Sequence, residues 1–162
     1  MTETQREPVP REDGGELATA LAFLDFARDC VPKKADGLSE EDVRRPMVDS
    51  GTSVLRLIRH LTDGERFWFR VHLLGEGEEP DWDAAGHDDR PAAEIVADYR
   101  AAVVASNEAI RDVADPDALS VQPVDGHPKS LRWTLAHMTS ETARHAGHAD
   151  IVRELLDGTT GR

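Results

Sequence analysis

Apolar residues recur at steps of three and four along four long stretches of the chain, and no stretch alternates as a strand would. In the first, Leu17, Leu21, Leu24 and Arg28, flanked by Ala20, Phe23, Ala27 and Val31, predict a broad-faced helix from Glu16 that Pro32 ends. The second begins after the N-cap signal Gly51-Thr52-Ser53. It carries Ser53, Leu57, His60, Gly64, Phe67, Val71 and Leu74 on one stripe, and Gly75 and Gly77 stop it. The third opens at Pro91 and bears Ile95, Tyr99, Ala102, Ser106, Ile110 and Val113 before Asp115-Pro116 closes it. Ser106 is expected to bond back onto its own helix. The fourth follows Ser130 with Leu131, Leu135, Met138, Thr142, His145, Ala149, Val152 and Leu156, and ends at Asp157-Gly158.

Between the first two helices, the segment 33–50 reads as a connection in which Ser39-Glu-Glu-Asp starts one short helical turn. The connection 117–129 holds Pro123, Asp125-Gly126 and Pro128, and Val121-Gln-Pro-Val beside Asp-Gly suggests a short extended or hairpin piece. Both are long enough to cross the end of a bundle. The fold class is therefore all-α, a four-helix bundle with long crossover connections over residues 14–158. Residues 1–13, with Pro8, Pro10 and mixed charge, read as a disordered lead-in, and 159–162 as a tail.

A chain of 162 residues suffices for one core. Its net charge of −13 excludes the basic patches that nucleic acid requires. No window is apolar for long enough to span a membrane, and the polar N-terminus has no signal core, so a cytoplasmic protein is expected. One cysteine, Cys30, excludes an internal disulfide and a Cys-rich zinc site, and it reads as a buried or half-buried thiol without function. Seven acids and no Lys or Arg lie between Glu76 and Asp89, but not at the offsets of a calcium loop, so this run reads as solvated.

Two histidines break apolar stripes. His145 sits at the centre of the fourth helix's stripe, and His60 on the second, with Gly64 one turn later leaving room beside it. Burying unpaired polar groups is unfavourable by several kcal/mol, and a bound metal ion would account for them. Glu141 and His145, spaced i and i+4, can present an oxygen and a nitrogen to one ion. His148 also lies on the inner half of the helix, so it is an alternative to Glu141 or a supporting partner. His137 is one position off the series, a weaker candidate. His87 and His127 fall in loops, and His72 reads as a surface residue. Asp150 and Arg153 are spaced to pair with each other. Two histidines and one carboxylate form the ligand set of catalytic zinc sites, with nickel and iron suited as well.

At these residues the sequence resembles the DinB-like superfamily of four-helix metalloproteins, and more closely its mycothiol transferase-like branch. The likeness runs from Ser53-Val-Leu-Arg-Leu-Ile-Arg-His60-Leu-Thr-Asp-Gly-Glu-Arg-Phe-Trp-Phe to His137-Met-Thr-Ser-Glu141-Thr-Ala-Arg-His145-Ala-Gly-His148-Ala-Asp-Ile-Val-Arg-Glu-Leu-Leu-Asp-Gly158. It covers about residues 14–158. The resemblance implies a divalent ion held by one histidine of the second helix and an i, i+4 pair of the fourth, hence His60, Glu141 and His145. Many members carry histidine at both positions of the pair. Glu141 resembles instead the relatives akin to mycothiol-dependent maleylpyruvate isomerase, whose further C-terminal domain has no counterpart here, so that isomerisation is not expected.

The resemblance also implies S-transfer of mycothiol or a similar thiol to a small electrophile, in a detoxifying role. Against it stand a non-catalytic metal-binding or dimerising stress-related bundle, and a hydrolase that uses metal-bound water. Small molecules are the expected partners, with no nucleic acid and no membrane. Trp68, Phe69 and Trp133, read as exposed apolar positions, make a homodimer reasonable.

Overall fold

A computed structural model describes residues 8–161 of the protein. The helices are α1 (Glu16–Cys30), α2 (Glu40–Arg44), α3 (Val54–Glu65), α4 (Ala92–Val113) and α5 (Leu131–Asp157). Helix α3 runs on without a break into a π-helical segment, Arg66–Leu73. Within the expected lead-in, residues 8–13 have no regular structure, and residues 1–7 lie outside the described residues, as does Arg162 in the expected tail. The four long helices are the predicted ones, and the chain is an all-α bundle. No helix among the described residues is long and apolar enough to cross a membrane.

Their ends follow from local chemistry. Ser39, Ser53 and Ser130 each accept a backbone N–H two or three residues into the helix they open, from Asp42, Arg56 and Trp133 respectively. Helix α5 ends on Gly158 at φ 75°, a left-handed cap that glycine adopts without strain. The connection 117–129 contains two isolated bridges, Leu119 with Ser130 and Val124 with His127, in place of a full hairpin.

In the bundle α1 lies against α5, and α3 lies against both α4 and α5. One apolar cluster is built around Val54, Ile58, Leu61, Ile95, Tyr99 and Val152, and another around Leu24, Phe69, Ile110, Leu131, Leu135 and Met138. The π segment alters which residues α3 buries. More residues per turn rotate the stripe, so Phe69, Val71, His72 and Leu73 are buried while Phe67 is only half-buried. This corrects two expectations: His72 is not a surface residue, and Phe69 is not exposed. Trp68 is half-buried, and Trp133 is exposed.

Arg28, on the stripe of α1, is 2% exposed, and Glu65, the last residue of α3 before the π segment, is 1% exposed. Their side chains form a two-pronged pair, with Nε donating to Oε1 at 2.7 Å and Nη2 to Oε2 at 2.6 Å. Arg28 Nη1 also donates to Asp25 at 2.9 Å and to Asn107 of α4 at 2.7 Å. Burial disfavours the guanidinium's charge, but Glu65 and Asp25 outweigh it, and its pKa lies above the ordinary value. Ser106 donates to the Glu65 carbonyl at 3.4 Å, so it ties α4 to α3 instead of bonding to its own helix. Asp150 and Arg153 likewise do not pair with each other. Asp150 meets Lys34, while Arg153 meets Asp157 and the carbonyls of Lys34 and Asp36.

The connection 117–129 is tied to the end of the π segment. Val121 N–H donates to the Leu73 carbonyl at 3.1 Å, and Gln122 N–H to that of His72 at 3.0 Å. Gly75 has φ 71°, and a Cβ there would stand 2.6 Å from Val121 Cγ1.

Glu65→Gln leaves the buried guanidinium without its counter-charge and is expected to lower unfolding free energy by about 3–5 kcal/mol. The double variant Arg28→Met/Glu65→Leu should regain most of that, and urea denaturation of the three proteins measures both. A loss below about 1 kcal/mol for Glu65→Gln would show that the pair is not structural. Gly75→Ala meets both an unfavourable φ and Val121, and should cost about 1–3 kcal/mol. It should also raise amide hydrogen exchange at Val121 and Gln122, whereas Gly126→Ala, facing open space at φ 76°, should leave those two amides protected.

Candidate metal centre

The seam between α3 and α5 gathers the two histidines that break the apolar stripes. His60 comes from the α-helical part of α3 and His145 from the middle of α5, with ring centroids 4.9 Å apart and planes at 78°. Glu141, one turn before His145, places Oε2 3.3 Å from His145 Nε2. One ligand atom from each of His60, Glu141 and His145 lies within 4.8 Å of the others, and all three residues are half-buried. Ligands about 2.0–2.2 Å from a tetrahedral ion stand roughly 3.3–3.6 Å apart, so the Glu141–His145 separation already suits one ion.

The electrostatics suit a ligand set. Burial lowers the pKa of His145, the nearby His60 lowers it further, and Glu141 opposes them, so the neutral imidazole is favoured. The neutral ring is the form that binds metal. Its Nδ1 is buried and has no hydrogen-bond partner. It is the ring's other nitrogen, so an ion bound between Nε2 and Glu141 would not reach it. Arg144 grips the other oxygen of Glu141, so the carboxylate is oriented from outside the group. These three residues could therefore hold a divalent cation.

The other expected candidates lie nearby without joining the group. His148 is exposed, with its ring 5.5 Å from that of His145. His137 stacks on Trp133 at 9° with centroids 5.0 Å apart, and lies 4.4 Å from Trp68. Burial lowers its pKa. The room expected beside Gly64 is bordered by Met138, whose Cε would be 3.7 Å from a Cβ at Gly64, an ordinary contact.

Sequence reasoning missed the aromatic surroundings. Trp82 of the acidic run lies 6.0 Å from His60 and 5.4 Å from Phe67, while Phe67 and Trp68 meet edge to face at 5.0 Å. Rings thus continue from the metal-competent group along the seam to Trp133. The run that carries Trp82 is also less free than its composition suggests. Arg59 Nε donates to Asp88 at 3.0 Å, and Arg90 Nη2 to the same carboxylate at 2.7 Å. The Arg90 hydrogen bond is the main reason that the Asp88 pKa falls to about 2, although burial opposes the shift. Arg59 and Arg90 lie outside the run, so a window confined to 76–89 could not reveal these pairings.

No curated protein matches the sequence. A family model described as Mycothiol-S-transferase matches residues 19–158, a span that holds α3, α4, α5 and all but the first three residues of α1, with every residue of the α3–α5 group. The chain belongs to the mycothiol S-transferase family.

Proposed function

We propose that the protein is a metal-dependent S-transferase that joins mycothiol, or a closely similar low-molecular-weight thiol, to a small electrophile. The observation that carries this reading is the convergence of His60, Glu141 and His145 across the α3–α5 seam, in a chain of this family. Zinc suits two imidazoles and one carboxylate, and nickel or iron is compatible with them. His60, Glu141 and His145 would hold the ion, which would supply an open coordination position favouring the ionised form of a thiol whose pKa is near 8.5 when free.

The chain's own residues have distinct tasks. His60 and His145 offer neutral nitrogens, and Glu141 contributes one negative charge. With a divalent ion this donor set would keep a net positive charge, which would favour thiolate over thiol. Arg144 holds Glu141 in place. Trp82, Phe67 and Trp68 line the approach and keep water from the nucleophile, which strengthens each charge interaction within the site. In a substitution, sulfur forms its bond to carbon as the leaving group departs with the bonding pair, and the thiol proton passes to solvent.

Protein purified without added metal is expected to carry close to one divalent ion per chain by elemental analysis. His60→Ala and His145→Ala should each lose that ion, with affinity falling beyond the roughly 10–100-fold that loss of a merely supporting partner causes. With mycothiol and monochlorobimane, the wild type should form the conjugate and His145→Ala should show only the background rate. Equal loss of an ester or amide substrate with and without thiol would instead indicate a hydrolase. Stoichiometric metal with no consumption of thiol would indicate a binding bundle.

A further inference from the structure

The outer side of α3 bears a second feature that the metal group does not use. Under the segment 84–89 lies a polar cavity of about 280 Å³, lined among others by Arg44, Ser53, Arg56, Arg59, Asp88 and Asp89. Most of its charges are already committed. Arg59 pairs with Asp63 and Asp88, and Arg44 donates to the Asp88 carbonyl at 2.8 Å and to the carbonyl of Arg90. Two groups are not. The Arg56 guanidinium has only the Ser50 carbonyl at 3.4 Å, and the Asp89 carboxylate has no hydrogen-bond or ion-pair partner among the described residues. One free donor fork and one free acceptor therefore face a single cavity.

Charge balance decides what kind of ligand this suits. Three arginines line the cavity with Asp88 and Asp89, and the buried partner of Arg59, Asp63, supplies the third negative charge. The rim is close to neutral, so an anion gains little net attraction. Vicinal hydroxyls, which donate and accept at once, match a guanidinium opposite a carboxylate. The volume is small, at the lower end for ligand pockets, and fits part of a ligand rather than all of one.

The cavity's position links it to the metal-competent group. Arg56 lies one turn before His60 on α3, about 6 Å along the axis. The acidic run lies along the same helix, with Trp82 beside His60 and Gly86 against the Arg56 guanidinium, whose Cζ would be 3.7 Å from a Cβ at Gly86. We infer that the cavity receives the polyhydroxylated half of the thiol cosubstrate, held between Arg56 and Asp89, while its cysteinyl arm extends past Trp82 to the His60 side of α3. This rests on the S-transfer reading above. Mycothiol has the required form, a neutral glucosamine–inositol unit that carries its thiol on an N-acetylcysteinyl arm.

The test uses metal-replete full-length protein and two readouts. Calorimetric titration with S-methyl mycothiol, which cannot react, should show binding that weakens about tenfold or more in Arg56→Ala and in Asp89→Ala, the size expected for a lost hydrogen bond to a charged group. Steady-state rates with mycothiol and monochlorobimane should show a similar rise in KM for mycothiol with kcat retained. N-acetylcysteine, lacking the sugar, should lose far less. Metal content checks that each variant keeps the α3–α5 group. Unchanged S-methyl mycothiol affinity in both variants would overturn the cavity assignment and leave the S-transfer reading standing. Arg56-dependent binding of inorganic phosphate without binding of S-methyl mycothiol would overturn the ligand class. A wild type that neither binds S-methyl mycothiol nor consumes mycothiol would remove the S-transfer reading itself, and this inference with it.

Discussion

The bundle is organised by one buried ion pair. Arg28 and Glu65 are both almost fully out of water, and separating them would strand a charge in the core, a loss several times that of an exposed pair. Because Arg28 also holds Asp25 and Asn107, the pair fixes α1, α3 and α4 relative to one another. Glu65 is also where the helical register changes. Its side chain is held from α1, its carbonyl accepts a bond from Ser106 of α4, and the π segment begins at the next residue. His60 lies just over one turn upstream of this anchor, so its direction towards α5 is set by a contact on the opposite side of the helix.

Much of this was legible in the sequence. Steps of three and four, serine caps, and glycine or proline stops are local signals, and they located all four long helices. The π segment was not legible, because wider turns become favourable only once tertiary bonds engage the helix. An α-helical wheel turns His72 and Phe69 outward for that reason. Arg28 stands on an apolar stripe with no partner in view, because Glu65 belongs to a different helix and looks like an ordinary surface acid. The same local logic ties Ser106 to its own helix.

The candidate site was legible to a similar depth. A histidine on an apolar stripe is a visible anomaly, and two such anomalies on separate helices can be matched without coordinates. What surrounds them is not visible in that way. The grip of Arg144 on Glu141 depends on rotamers, and the place of Trp82 depends on how Arg59 and Arg90 tie down the acidic run. Composition describes that run as solvated, and most of it is exposed, yet Asp88 fastens it along α3. The chemistry consequently changes along α3, with rings and imidazoles about His60 and balanced charges one turn earlier, beneath the run.

The seam that carries the site is also the one with the least electrostatic stitching. Ion pairs join α1 to α3, the π segment to α4 and α5 to α1, but among the described residues none joins α3 to α5. An ion shared by His60, Glu141 and His145 would act there as a cross-link between segments some eighty positions apart in the chain. Binding only to the folded state, it would raise the free energy of unfolding in proportion to the logarithm of its free concentration. The measured stability of this bundle would then vary with the metal supply of its surroundings, and starvation for the ion would loosen this seam before any other.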